Sequence, residues 1–186
     1  MTKQGLIYTL GRRMTNDLPL RFDPALFAKQ GRQIEGDLAI RDMPRIVDLT
    51  HNLETILHVT MVFSKSSLQF PLVKGTIQGQ VVQICQRCLG DVAIDIDQEF
   101  ELLLVGPDST ELASQEGHEL FEYQDQYIST IELIEDETIL ALPIVAKHKT
   151  LEECDAVARK WIEEKEYKPA DIKGENPFAS LKNLKT

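Results

Sequence analysis

LVKGTIQGQVVQICQRCLGDVAIDIDQEFELLLV, residues 72–105, sets two runs rich in Val, Ile, Leu and Phe on either side of a C-x-x-C. In the second run, 92–105, Ile94, Ile96, Phe100 and Leu102 alternate with Asp95, Asp97, Glu99 and Glu101. Successive side chains of a strand point to opposite faces, so the pattern predicts a strand with one apolar and one acidic face. The first run, 72–84, is β-branched and glycine-punctuated and predicts its partner strand. The D-x-D-x-E spacing also suits the opening of a calcium loop. However, Phe100 stands where that loop needs glycine, and the strand already explains the alternation.

Outward from this hairpin, residues 54–64 (ETILHVTMVFS) and 33–40 (QIEGDLAI) read as further strands. Residues 23–30 read as a short helix capped by Asp23 with Pro24 in its first turn, and 41–52 as a helix or a loop. The polar stretch 106–117 reads as a mobile surface loop. Ser129 and Glu132 form a capping box that opens a helix over 130–142, ended by Pro143. At about 100° per residue, Glu132, Glu135 and Asp136 form one exposed acidic seam on this otherwise apolar helix. A second capping box, Thr150 with Glu153, predicts a helix over 151–165 with Leu151, Cys154, Ala158, Trp161 and Ile162 facing the core. The sum is an α+β fold: an antiparallel β-sheet with short helices packed on one face or end, forming a single domain over 1–168. Residues 169–186 are then a linker and a short amphipathic tail.

Charge is unevenly placed. The net charge is -10, yet residues 91–146 hold 15 acidic side chains and no Lys or Arg, and each flanking region is slightly positive. Affinity for nucleic acid comes largely from Lys and Arg displacing counterions, so extensive RNA contact through this block is disfavoured. An anionic field of this size orients basic partners, or else keeps a protein soluble. The first twenty residues lack an apolar core with a small-residue cleavage site, which leads to the expectation of a cytoplasmic protein with no membrane partner.

Three cysteines in such a compartment do not suggest a disulfide framework. Cys85 and Cys88 can hold a metal, run a redox cycle or pack in a core. A redox pair needs its first cysteine at a helix N-terminus, whereas this one follows a strand. Strand, C-x-x-C-x-G, strand is the layout of a zinc knuckle, with Gly90 permitting the bend. Structural zinc takes four ligands, and His148 with Cys154 are the sequence-close residues that would complete a Cys3His set. The alternatives are a metal-free packed turn, a buried Cys154 and an exposed His148. No cofactor is certain; a structural Zn is the candidate.

No Gly-Lys phosphate loop, G-x-S-x-G or H-E-x-x-H is present, and His51, His58 and His118 have no sequence-local carboxylate or nucleophile pattern, which argues against an enzyme. ENPFASLKNLKT, 175–186, starts with Asn176 as a cap and Pro177 at the first helical position, and spaces Phe178, Leu181 and Leu184 by three with Lys182 and Lys185 between. This predicts an amphipathic anchor that docks on its own domain, on a partner groove or on RNA phosphates.

Taken together, CQRCL at 85–89, ISTIELIEDETILALPIVAKH at 128–148 followed by Cys154, and NPFASLKNLK at 176–185 resemble the YceD family, the bacterial large ribosomal RNA subunit accumulation proteins. The most specific element is the run of Ile131, Leu133, Glu135, Asp136, Glu137, Leu140, Ala141, Leu142 and Pro143. The resemblance implies a non-enzymatic factor required for 23S rRNA accumulation and hence for ribosome biogenesis. With that role, the acidic block reads as a cradle for a basic ribosomal protein or assembly factor, contacting rRNA indirectly. Its candidate residues are Asp95, Asp97, Glu99, Glu101, Glu132, Glu135 and Asp136, with Phe178, Leu181, Lys182 and Lys185 of the tail. The alternative is a direct RNA-binding module using Arg12, Arg13, Arg41, Arg45 and the C-terminal lysines.

Overall fold

The computed structural model describes residues 14–15 and 18–164, and the chain divides into two compact units, Met1–Lys147 and His148–Thr186. The first unit contains β1 (Met14–Thr15), β2 (Arg21–Phe22), β3 (Gln33–Ala39), β4 (Ile56–Lys65), β5 (Pro71–Ile84), β6 (Asp91–Val105), β7 (Glu119–Glu122) and β8 (Ile128–Ser129). Its helices are α1 (Pro24–Gln30), α2 (Pro44–Val47), α3 (Thr110–Ala113) and α4 (Thr130–Ala141). Six strands form one sheet in the order β1-β3-β4-β5-β6-β7, and β2 pairs with β8 in a second, two-stranded one. The fold is α+β.

The four central strands are antiparallel neighbours in chain order, built on the long β5–β6 hairpin registered from Leu72↔Leu103 to Ile84↔Asp91. At the margins the expectation of a purely antiparallel sheet gives way: β1 runs parallel to β3, and β7 parallel to β6. A parallel neighbour needs a crossover, and residues 106–118 supply it. The stretch 106–117, expected as a mobile surface loop, is instead a chain of short helical turns including α3. Its Ala113 is fully buried with Leu103 and Val105, which emerge from the otherwise polar face of the sheet and need covering.

The opposite face carries the main core. Val59, Phe63, Val73, Ile77 and Phe100 project toward α1 and α4, which return Phe27, Leu133 and Ile134. Phe22, Phe27 and Phe63 meet ring to ring, with centroids 5.0–5.4 Å apart. The helix signals hold where they are local. Asp23 Oδ1 accepts the Leu26 N–H at 2.9 Å to start α1, and Ser129 Oγ accepts the Glu132 N–H at 3.4 Å to start α4, which ends before Pro143.

In the second unit the helix expected over 151–165 is α5 (Ala156–Glu164). Asp155 is its cap, Oδ1 accepting the N–H groups of Val157 and Ala158 at 2.9 and 3.2 Å. The Thr150–Glu153 pattern closes a preceding turn: Glu153 accepts from the Lys149 N–H and from Thr150 Oγ1, each at 3.2 Å. Cys154 therefore lies in that turn, not on a helical stripe. Among the described residues, no helix is long and apolar enough to cross a membrane. The tail expected over 169–186, with Phe178, Leu181, Lys182 and Lys185, lies outside the described residues, as do Arg12 and Arg13.

Candidate partner face and metal centre

The β5–β6 hairpin turns through residues 85–90. Cys85 donates its N–H to the Gly90 carbonyl and Leu89 donates to the Cys85 carbonyl, both at 2.8 Å. The bend expected of Gly90 falls one residue earlier: Leu89 takes φ +62°, the left-handed region that glycine adopts at no steric cost. Gln86, between the two cysteines, donates its N–H to Ala146 O at 2.8 Å. Cys85 is buried and Cys88 half-buried, and no cysteine is in a disulfide. In the second unit, Cys154 is buried and its Sγ lies 3.7 Å from His148 Nδ1.

The residues with zinc-ligand chemistry fall in two pairs, Cys85 and Cys88 at the hairpin turn of the first unit and His148 and Cys154 in the second. In a tetrahedral zinc site with Zn–S of about 2.3 Å and Zn–N of about 2.0 Å, neighbouring ligand atoms stand about 3.6 Å apart. The His148–Cys154 separation fits that edge, and a thiolate-rich set suits zinc over magnesium or calcium. Four protein ligands would leave no open coordination position. Neither Cys85 nor Cys88 stands at a helix N-terminus, where a dipole would favour the thiolate of a redox pair.

The other feature is the open face of the sheet. Asp95, Asp97, Glu99 and Glu101 lie opposite Gln80, Gln78, Thr76 and Lys74, and the pattern continues through His58 and Thr60 on β4 to Asp37 and Glu35 on β3. These six carboxylates share one face with a single lysine, Lys74, among the described strand positions, and Asp91 continues the same alternation. Glu35 and Asp37 were missed in the sequence, since strand order is not local. Gln80 Nε2 donates to Asp95 at 2.8 Å and Gln78 Nε2 to Asp97 at 3.0 Å, which fixes the direction of both carboxylates. Lys74 Nζ is 2.7 Å and His118 Nδ1 3.3 Å from Glu101. His58 sits between Asp37 at 2.9 Å and Glu35 at 3.2 Å, and its pKa is raised, chiefly by the hydrogen bond to Asp37. The cross-strand partners of the histidines are invisible in sequence order.

Helix α4 lies on the other side of the sheet, so its acids do not extend this face. Glu132 is exposed, but Glu135, expected on an exposed seam, is 3% exposed. Its Oε1 accepts the N–H groups of Arg45 and Ile46 at 2.6 and 3.1 Å, and Oε2 accepts from Arg45 Nε at 3.1 Å. Asp136 takes the guanidinium's Nη2. Glu137 is also buried, hydrogen-bonded with Gln98. The adjacent Glu135 and Asp136 of the expected seam form a clamp on α2, which also engages Arg45, one of the arginines of the RNA-binding alternative. Arg41 pairs with Glu54 at 3.4 Å.

The profile of the YceD family, described as Large ribosomal RNA subunit accumulation protein YceD, matches residues 73–185. That stretch includes the hairpin turn, α4 and the four candidate metal-ligating side chains. The chain belongs to the YceD family. It is also 31% identical over 174 residues, 90% of its own length and 96% of the relative's, to the Large ribosomal RNA subunit accumulation protein YceD of Haemophilus influenzae. The Glu135–Asp136–Glu137 run of this YceD family member is thereby given a structural place: two side chains clamp α2 and the third enters the core. No solved structure matches the chain.

Proposed function

We propose that this YceD family member is a non-enzymatic factor in large ribosomal subunit biogenesis that supports 23S rRNA accumulation by binding a basic ribosomal protein or assembly factor. The observation that carries this reading is the open sheet face, where six carboxylates meet one lysine. Such a surface repels a polyanion and draws in Lys- and Arg-rich polypeptide, so its contact with rRNA would be indirect. The test compares the wild type with a variant neutralised at Asp95, Asp97, Glu99 and Glu101 (Asp→Asn, Glu→Gln), against purified large-subunit proteins and 23S rRNA fragments. Wild-type binding to one or more basic proteins, weakened by neutralisation and by salt, supports the reading. Binding to rRNA alone, strengthened by neutralisation, overturns it and favours the RNA-binding alternative. The tail residues Phe178, Leu181, Lys182 and Lys185 belong to the same partner-binding proposal, from their spacing alone.

We further infer a structural zinc held by Cys85, Cys88, His148 and Cys154, a reading favoured by the C-x-x-C at the hairpin turn and by the 3.7 Å separation of Cys154 Sγ and His148 Nδ1 within the second unit. Zinc would fold the hairpin turn and the His148–Cys154 turn onto one ion, with no catalytic position left over. About one zinc per chain in purified protein, lost in both Cys85→Ser and Cys88→Ser, is expected. Metal-free wild-type protein with an unchanged melting temperature after chelation would eliminate the site.

A further inference from the structure

At the hairpin end of the first unit, a half-open groove of about 480 Å³ lies between the β5–β6 turn, the stretch after α2 and the end of α4. Leu49, Ile84, Leu89 and Ile144, all lining it, are 45, 42, 78 and 97% exposed. Isolated apolar side chains on a surface are ordinary; four gathered on one concavity mark an interaction site. Its polar lining is Asp48, His51, Gln83 and Gln86, with no Lys or Arg, and His51 faces Asp91 at 3.1 Å. Gln83 Nε2 is committed to the Leu49 carbonyl at 3.2 Å, while its Oε1 is shut off from solvent with no partner. A buried unpaired acceptor is a cost that a donor on a ligand would remove.

We propose that this groove docks an amphipathic, basic helix of a protein partner. Its apolar stripe would cover Leu49, Ile84 and Ile144, and a Lys or Arg side chain would reach Asp48 and Gln83 Oε1. The apolar floor and the absence of Lys and Arg from the lining disfavour RNA, and the carboxylate disfavours an anionic lipid surface. The proposal rests on the reading of a basic protein partner, but uses the hairpin end of the sheet and not the residues Asp95 and Asp97. It gives that partner a second, helical point of attachment beside the acidic face.

The test uses the full chain and a labelled Leu–Lys peptide with its leucines on one helical stripe, beside a scrambled peptide of equal composition. Preferential binding of the striped peptide is expected, weakened about tenfold or more by Ile144→Asp and by Leu49→Asp. Both side chains are exposed, so folding should persist, and unchanged circular dichroism and melting curves check this. Asp95→Asn with Asp97→Asn should weaken striped and scrambled peptides alike and leave the preference for the stripe, whereas Ile144→Asp should remove that preference, so that failure of the acidic-face reading and failure of the groove are separable. Equal binding of the scrambled peptide, or indifference to both Asp substitutions, overturns the proposal. So would a gain in peptide affinity on deleting residues 165–186, which would make the chain's own end the occupant. Preferential capture of single-stranded RNA or anionic vesicles, abolished by Ile144→Asp, would overturn it as well.

Discussion

Glu135 holds Arg45 by two points at once, its Oε1 on the backbone N–H at 2.6 Å and its Oε2 on the side-chain Nε at 3.1 Å. One buried carboxylate thereby satisfies the first turn of α2 and fixes the guanidinium that Asp136 also receives. Removing it strands two backbone donors. Glu135→Ala should lower stability by about 2–4 kcal/mol, because unpaired buried groups lose their hydration without return. Asp136→Asn, at the exposed end of the same network, should cost no more than about 1 kcal/mol. Urea unfolding of the two variants checks the ranking; equal losses would contradict it.

Glu137 gives a pH dependence. Burial first, then the charge of Glu119 and that of Asp136, raise its pKa, against a hydrogen bond with Gln98 that lowers it. An acid whose folded-state pKa lies above its unfolded value binds its proton more tightly in the folded state. Its contribution to stability is thus full below the ordinary carboxylate pKa and is lost as pH rises through the elevated one. Glu137→Gln, neutral at every pH, should flatten the fall in stability from mildly acidic toward neutral pH. Urea midpoints measured across that range for both proteins would show converging curves at low pH; parallel curves would refute the assignment.

Gly75 pairs across the hairpin with Phe100, whose ring covers it. A Cβ there would come 2.3 Å from that ring and 2.6 Å from the Thr60 carbonyl oxygen. Gly75→Ala should cost about 2 kcal/mol or more, since both strands must shift. Trimming Phe100 to Leu in the same chain should not restore stability, because the Thr60 contact is with backbone. Thermal melts of the single and double variants decide this.

Leu89 is the reverse case. Its left-handed backbone costs an L-residue about 1–2 kcal/mol, and its exposed side chain recovers little by burial. Leu89→Gly should raise stability by about 0.5–1 kcal/mol after the greater freedom of glycine in the unfolded chain is counted. A rise in melting temperature is the expected reading, and a fall would show that the side chain is held by contacts stronger than its exposure suggests.

Local signals were the legible ones. The alternation from Ile94 to Leu102 gave the two faces of β6, and Asp23 and Ser129 marked helix starts, because each depends on residues within a few positions of one another. The candidate metal ligands were legible as a list of donors, Cys85, Cys88, His148 and Cys154, because spacing and residue type are local. Pairings across strands were hidden. Nothing near Glu35 or Asp37 in sequence places them on the face of Asp95, and nothing near Glu135 says that its carboxylate turns inward to α2, some ninety residues earlier. The second capping box misled for a related reason: Glu153 had another local use, and Asp155 offered a cap closer to the helix.

Because β3, β4, β5 and β6 pair in the order in which they are synthesised, the sheet can assemble as the chain emerges, with α1 already at hand to cover β4 and β5, yet the apolar side of β6 stays uncovered until Leu133 and Ile134 arrive. At about 5–20 residues per second, the interval between the end of β6 and the start of α4 lasts a few seconds. During that window a nascent chain presents Ile96 and Phe100 of β6 to its surroundings, so α4 acts as the closing piece of the polypeptide and truncations before it should be held by chaperones rather than released folded.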